Sequence, residues 1–280
     1  MPSVQWNLDF WGGANDWSEQ GDEWSRPWGG TELEWWGSIF PRIRSFLPAG
    51  AILEIAPGYG RWTQFLAGFS QQLTLVDLSE RCIEACKQRF SANSHITYHL
   101  NDGKSLSMVP DGSVDFVFSF DSLVHAEAEV VREYLVQLSR KLTPNGVGFI
   151  HHSNLGAYPK GQVVSRSLPW RIRQTLVEAG WLVSTAWRAE TMTAELFEKY
   201  CTDAGLQCIS QEQINWVYGK HLIDCLSLFT PKGSLWARPN RVVRNPRFME
   251  EAHLISQVAS LYPSRGGMRL PRDPKGVAIS

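Results

Sequence analysis

The chain has 280 residues, of which 27 are lysine or arginine and 28 are aspartate or glutamate, so its formal net charge is −1. This length suits one large α/β domain with an added cap, and the charge gives no reason to expect nucleic acid or an anionic membrane as a partner. No run of residues approaches the roughly 18 apolar residues of a membrane span, and no secretory signal is visible. We therefore expect a cytoplasmic protein whose five dispersed cysteines are buried thiols.

The N-terminal region, residues 1–47, is predicted as a tryptophan-rich arm followed by a lid helix. The arm is irregular to about residue 30, and the helix runs from Thr31 to about Phe46. The arm either covers a ligand site or is held on the domain by its tryptophans, and the two interpretations are compatible. Trp24 and Trp28 are the candidate substrate contacts of this region. Its tryptophans are Trp6, Trp11, Trp17, Trp24, Trp28, Trp35 and Trp36.

Apolar strands then alternate with longer periodic segments, the pattern of a parallel sheet with crossover helices. The last two strands instead adjoin through the turn 218–220, which makes a reversed hairpin. The sequence thus predicts an α/β fold: a Rossmann-like sheet of seven strands, mostly parallel with a reversed terminal hairpin strand, flanked by helices. This domain spans 48–230 and includes a cap insert at 154–190, and a tail with one helix follows at 231–280. The strands are predicted at 51–56, 73–77, 95–100, 114–119, 147–151, 207–217 and 221–230.

A glycine-containing turn follows the first strand and reads Glu54-Ile55-Ala56-Pro57-Gly58-Tyr59-Gly60. Gly58 and Gly60 allow close approach of the backbone to a ligand. The second strand ends in Asp77, whose carboxylate can accept hydrogen bonds from both hydroxyls of a ribose. The helix start after the turn carries a cation and suits a cofactor carboxylate. These residues predict a site for a ribose-bearing cofactor.

The order of the motifs resembles the class I S-adenosylmethionine-dependent methyltransferases over about residues 35–155. That family has an acid and three alternating glycines in the turn, and Ala56 stands in the place of the first glycine. The segment 101–103 matches the adenine contact, 114–121 leads to the transfer site, and 142–150 matches the turn into the fifth strand. The resemblance implies S-adenosylmethionine as the cofactor. The cofactor contacts it implies are Glu54, Ala56, Gly58, Tyr59, Gly60, Arg61, Thr63, Asp77, Leu78, Asp102, Gly103 and Phe120.

Histidines that follow two of the strands are the candidate bases. A hydroxyl acceptor must lose its proton in the reaction, and His125, His151 and His152 all come after strands whose carboxyl ends meet at the ligand edge of such sheets. Alternation along a strand directs one of the adjacent pair toward each face. Asp121 could orient a histidine or bind the acceptor hydroxyl itself. A divalent metal held by Asp121, His125 and His152 is an alternative for which no spacing signature is present.

The cap insert is the second candidate substrate element, and Tyr158, Arg166 and Trp170 are its candidate contacts. Its mixture of basic and aromatic residues could receive a sugar, a phosphate or a carboxylate, or could be an amphipathic helix with solvated arginines. The favoured function is methyl transfer to a hydroxyl of a small metabolite or sugar. The alternatives are methylation of a small amine, which needs no base, a cofactor-binding scaffold or sensor without turnover, and dinucleotide binding.

Overall fold

The computed structural model describes residues 3–185, 187–216 and 220–262. Within these ranges one mixed sheet forms the centre of the molecule. Its strands are β1 (Ala49–Ile55), β2 (Ser70–Asp77), β3 (Ile96–Leu100), β4 (Val114–Ser119), β5 (Leu142–Ser153), β6 (Leu206–Ile214), β7 (Asp224–Pro231) and β8 (Arg241–Asn245).

The strand order is β3-β2-β1-β4-β5-β7-β6-β8. The first five strands are parallel, and β7 runs antiparallel to both β5 and β6. The predicted Rossmann-like sheet with a reversed hairpin strand is therefore confirmed. One strand was missed: β8 extends the sheet beyond β6, to which it pairs in parallel. Val217, Tyr218 and Gly219, which were predicted in the hairpin, lie outside the described residues.

Helices cover both faces of the sheet. The arm, predicted as irregular, is largely helical: it contains α1 (Val4–Asp9), a π-helical turn at 10–14 and a 3₁₀ segment at 22–28. None of the α1 residues is buried, so that helix leaves no amphipathic stripe in the sequence. The α-helices are α1 (Val4–Asp9), α2 (Thr31–Glu34), α3 (Phe40–Ile43), α4 (Thr63–Leu66), α5 (Glu80–Arg89), α6 (Ala128–Lys141), α7 (Pro159–Ser167), α8 (Trp170–Glu178), α9 (Ala194–Asp203) and α10 (Phe248–Ser260).

The core lies on both faces of the sheet, and side chains alternate between the two. Phe118 and Phe149 pack on the face covered by the N-terminal helices and α10. Val117 and Ile150 pack on the face covered by α6 and α9. Burial on both sides explains why these strands read as continuous apolar runs rather than as alternating ones. The same alternation sends the two adjacent histidines at the end of β5 to opposite faces.

Candidate active site

A cavity of about 520 Å³ lies at the carboxyl ends of β1, β2 and β4. This volume falls in the range of small-molecule sites. The structure brings together at this cavity 12 of the residues proposed from the sequence, from both the cofactor and the acceptor sets. These are Trp24, Trp28, Ala56, Gly58, Tyr59, Arg61, Asp77, Leu78, Gly103, Phe120, Asp121 and His125.

The turn after β1 is in the left-handed backbone region at three alternate residues. The φ angles are +57° at Ala56, +57° at Gly58 and +82° at Gly60. A Cβ at Gly58 would lie 3.0 Å from Trp17 Cη2, and one at Gly60 would lie 2.4 Å from Phe90 Cε2. Backbone angles and packing thus both require glycine at these two positions, whereas Ala56 adopts the same angles with a side chain.

Asp77 is fixed at the end of β2 by backbone donors. Its Oδ2 accepts a hydrogen bond from Gly58 N at 3.2 Å, and its Oδ1 accepts one from Ser79 N at 2.8 Å. Burial raises the pKa of this carboxyl to about 6, against the lowering effect of those donors. A carboxylate held in this way beside Leu78 and Gly103 retains lone pairs for the hydroxyls of a ribose.

Four residues proposed as cofactor contacts do not line the cavity: Glu54, Gly60, Thr63 and Asp102. Glu54 is buried behind the turn, where its Oε2 accepts a hydrogen bond from Thr63 Oγ1 at 2.7 Å. Burial raises the pKa of Glu54 to about 8, so this carboxyl is protonated at neutral pH. Asp102 is exposed, and its Oδ1 accepts hydrogen bonds from the backbone N–H groups of Lys104 and Ser105. Of the adenine motif, only Gly103 borders the cavity.

A buried set of charges lies beside the cavity and centres on Asp121. Arg61 Nη2 lies 2.9 Å from Asp121 Oδ2, and Arg61 Nη1 lies 3.9 Å from Glu34 Oε2. Burial raises the pKa of Glu34 to about 8, which the nearby Arg61 only partly offsets. Glu34 is therefore neutral at pH 7, and Asp121 is the main counter-ion of Arg61.

His151 holds Asp121 through the main chain. Asp121 N donates to His151 Nδ1 at 3.2 Å, so the proton of the neutral ring is on Nε2, which faces Asp224 Oδ2 at 3.3 Å. Arg188 Nη2 lies 2.8 Å from Asp224 Oδ2 and 3.8 Å from Asp121 Oδ1. Burial would raise the pKa of Asp224, but Arg188 and His151 hold it well below its usual range. Asp121 itself has φ +59°, a strained angle that these contacts maintain.

Of the three histidines proposed as bases, His125 is the one that lines the cavity. Its Nδ1 lies 2.8 Å from the carbonyl oxygen of Trp187, to which it can only donate, so the lone pair is on Nε2. Burial, helped by Arg188, lowers the pKa of His125 to about 4. The side chain is thus neutral at pH 7 with one fixed tautomer. In the arm, Asn7 Nδ2 donates to the His125 carbonyl at 3.0 Å, and the ring of Trp11 lies 5.1 Å from the imidazole.

The described side chains of the other proposed catalytic and substrate residues do not line the cavity. His152 faces α9, where its ring stacks on Phe197 at 4.3 Å and its Nε2 lies 2.8 Å from Ser227 Oγ. Burial lowers its pKa to about 3. Tyr158 accepts a hydrogen bond from Leu222 N, and Trp170 is exposed on the surface. The side chain of Arg166 lies outside the described part of the structure.

No metal cluster is found among the described residues. The three side chains considered for a metal are separated, since Asp121 and His125 line the cavity whereas His152 stacks on Phe197 of α9. Nor does any helix in the described ranges have the length and apolar character to cross a bilayer.

Several residues of the cavity were not among the site residues proposed from the sequence. Trp11 and Trp17 belong to the arm, and Trp17 stacks on Tyr59 at 4.5 Å with 3° between the ring planes. The insert and the chain beyond it supply further ones. Alternation in β5 could have indicated that His151 and His152 differ, but no sequence pattern marks contacts made across more than a hundred residues. These further lining residues include Asn7, Trp11, Trp17, Trp187, Arg188, Trp216, Met249 and His253.

Comparison with known proteins identifies the family of the segment that forms much of this cavity. Residues 52–146 match a family profile described as a methyltransferase domain. This part of the chain is a methyltransferase domain. The family proposed from the sequence is thereby confirmed, and with it S-adenosylmethionine as the cofactor of this methyltransferase domain.

A curated relative matches only part of this chain. The chain is 32% identical over 111 residues to the squalestatin hexaketide synthase of a Phoma species, a match that spans 35% of this chain and 4% of that protein. The match therefore concerns about a third of this chain and a small part of that curated relative.

Solved structures show the same fold over most of the chain. The PH0226 protein of Pyrococcus horikoshii has a TM-score of 0.52 and 19% identity, covering 80% of this chain and 96% of that one. The N-methyltransferase NodS of Bradyrhizobium japonicum, solved in complex with S-adenosyl-L-homocysteine, has a TM-score of 0.50 and 19% identity, covering 81% and 95%. At this level of identity the likeness concerns the methyltransferase fold.

Proposed function

We propose that this chain transfers a methyl group from S-adenosylmethionine to a hydroxyl of a small metabolite or sugar, with His125 as the general base. The observation that carries the proposal is the fixed tautomer of His125, which leaves the lone pair on Nε2 of a residue that lines the cavity beside the cofactor turn. When bound, S-adenosylmethionine supplies a methyl group that its positive sulfur activates.

The residues of the cavity fit that cofactor. Asp77 presents a buried carboxylate where the ribose hydroxyls would bind, and the turn at Gly58 has no room for a side chain against Trp17. Gly103 and Leu78 border the same end, where an adenine would lie. Trp17 and Tyr59 close the cavity over the turn, and closure of this kind excludes water from the reacting groups.

The residues that follow β4 support an acceptor site in the same cavity. His125 Nε2 would take the hydroxyl proton as the oxygen bonds to the methyl carbon and the carbon–sulfur bond breaks. Asp121 is held by Arg61 and His151 in a single orientation, in which it can accept a hydrogen bond from an acceptor hydroxyl. Trp24, Trp28 and Trp216 supply apolar faces for the rest of a small acceptor.

Methylation of a small amine is the alternative, because an amine that arrives uncharged needs no base. The aromatic faces of the cavity would also suit a cationic group. Turnover without dependence on His125 would favour this alternative, and cofactor binding without turnover would favour a scaffold or sensor.

A cytoplasmic location stays a prediction.

The test measures formation of S-adenosylhomocysteine by the full chain with small hydroxyl compounds, sugars and amines. His125→Ala and His125→Gln should each lower kcat at least about 100-fold while the affinity for S-adenosylmethionine is retained. His253→Ala is the matched control, since His253 also lines the cavity but is exposed at its rim. Because the pKa of His125 is about 4, kcat/KM of the unmodified chain should fall only as the pH approaches 4.

Full turnover of a hydroxyl acceptor by His125→Ala would show that the base assignment is wrong. Product formation with amines alone would replace the proposal by the amine alternative.

A further inference from the structure

The cap insert carries an exposed apolar surface that the cavity does not use. We call it the insert surface and define it by Lys160, Val163, Val164, Trp170, Arg171, Ile172 and Trp181. The side chains of Trp170 and Trp181 are 65% and 81% exposed, and Val163 and Ile172 are also more than half exposed. Single exposed apolar residues are ordinary, but five within 19 consecutive residues form a concentration that indicates an interaction site.

These side chains are exposed although the insert has a packed underside. Val177, Leu182 and Val183 are buried beneath it. A Cβ at Gly161 would lie only 2.7 Å from Val183 Cγ2, so α7 packs closely on the segment that follows α8. The insert therefore already has apolar residues that hold it to the domain, and the outward ones are additional to them.

The charge of this segment is strongly one-sided. Residues 158–187 contain four basic side chains and a single acidic one, Glu178, although the chain as a whole has a net charge of −1. Lys220 adds a further cation, since a Cβ at Gly180 would lie 2.7 Å from Lys220 Cδ. The near-neutral total therefore conceals a local basic region. Its described basic residues are Lys160, Arg171 and Arg173.

We propose that the insert surface binds an anionic phospholipid bilayer. Exposed tryptophans place their rings at the boundary between headgroups and acyl chains, and lysine and arginine keep their charges in the headgroup layer. Each cation near an anionic membrane strengthens binding about fivefold. The whole-chain charge had given no reason to expect such a partner, and the local distribution of charge reverses that expectation.

The cap insert also reaches the cavity, through Trp187. Trp187 is 59% exposed and also lines the cavity, and its carbonyl holds the ring of His125. Because the insert contributes both to the insert surface and to the cavity, an acceptor at the lipid–water boundary is the class of substrate that membrane binding would favour. The binding proposal itself does not depend on the acceptor or on turnover.

Co-sedimentation of the full chain with vesicles tests the proposal. Vesicles of phosphatidylcholine with phosphatidylglycerol should retain the protein, vesicles of phosphatidylcholine alone should retain far less, and added salt should release it. Lys160→Ala and Arg171→Ala should each weaken binding about fivefold. The double variant Trp170→Ala/Trp181→Ala should weaken it at least about tenfold.

Matched controls come from exposed residues elsewhere. Leu235→Ala, Arg241→Ala and Arg244→Ala remove apolar and basic side chains of the C-terminal region and should leave vesicle binding unchanged. Circular dichroism should show that every variant is folded. The proposal is overturned if the chain binds neither kind of vesicle, if the tryptophan double variant binds as well as the unmodified chain, or if the surface instead captures an acidic protein and no lipid.

Discussion

Ala56 occupies a backbone conformation that glycine adopts without strain. Its φ of +57° lies between two glycines with similar angles, in the turn that borders the cofactor end of the cavity. A left-handed conformation costs a residue with a side chain about 1–2 kcal/mol. The sequence showed that alanine replaces the first glycine of the motif, but only the structure shows that the turn keeps its shape in spite of it.

Relief of this strain can be measured. Ala56→Gly should raise the free energy of unfolding by up to about 1 kcal/mol, because the strain removed exceeds the entropy that glycine adds to the unfolded chain. Ala67→Gly is the matched control, since Ala67 has ordinary helical angles and its replacement should lower stability by about 0.5–1 kcal/mol. Equal losses in the two variants, measured by urea unfolding, would argue against strain at Ala56.

The histidines at the end of β5 show how far a sequence can predict a site. Alternation predicts that His151 and His152 face opposite sides of the sheet, and the structure has His151 against Trp216 and His152 against Phe197. It cannot predict which side holds the cavity. That depends on how the N-terminal helices and α9 distribute over the two faces, and this distribution is a property of the whole fold.

Among the elements, the N-terminal arm supplies the largest share of the residues that line the cavity. Trp17 stacks on Tyr59, and its Nε1 donates to the carbonyl of Trp11, so the arm is joined to itself and to the glycine turn. The tryptophan content suggested that the arm covers the site, but the irregular spacing of its tryptophans did not predict a helix. The contacts of Trp17 with Tyr59 and of Trp11 with His125 join residues more than forty positions apart, which no local pattern records.

The stack between the arm and the turn should influence retention of the cofactor. Trp17→Ala should weaken binding of S-adenosylhomocysteine about 3- to 10-fold, because an aromatic pair of this kind contributes about 0.5–1.5 kcal/mol beyond its buried area. Trp36→Ala serves as the control, as Trp36 contacts Phe40 and Phe65 and does not line the cavity. Isothermal titration calorimetry measures both, and unchanged affinity in Trp17→Ala would mean that the arm does not hold the cofactor.

At the scale of the whole molecule, the positions of the strand ends were the most predictable feature. Each of the parallel strands β1, β2 and β4 has a cavity residue at or just after its carboxyl end, namely Gly58, Asp77 and Phe120. Because the carboxyl ends of such strands meet at one edge of the sheet, the convergence of these residues follows from the fold class. The position of Met249 at the cavity and the pairing of β8 with β6 were not predictable. Both come from the tail, whose sequence carries one periodic helix and no sign of where that helix packs.

Buried acids give the whole molecule an unusual dependence of stability on pH. The pKa values of Glu34 and Glu54 are raised from 4.5 to about 8, so between about pH 6.5 and 8 the folded chain holds protons that the unfolded chain has lost. Stability should therefore fall as the pH rises through this window, by about 2 kcal/mol for each carboxyl. The lowered pKa values of His125 and His152 act in the opposite direction, but only below about pH 6.5.

Urea unfolding of the cofactor-free chain at pH 6.5 and pH 8 checks this expectation. Glu34→Gln and Glu54→Gln should each remove about half of the difference, since glutamine keeps the shape of the side chain without its titration. A stability that is constant or rises between these pH values would contradict the assignment of neutral carboxyls at both positions.

The tryptophans around the cavity also provide an intrinsic fluorescence signal for ligand binding. Indole emission shifts with the polarity of its surroundings and is quenched by stacked rings, so an adenine that enters among these side chains must change the signal. Occupancy of the site can therefore be followed by intrinsic fluorescence, without a label and before any acceptor is known. The tryptophans that line the cavity are Trp11, Trp17, Trp24, Trp28, Trp62, Trp187 and Trp216.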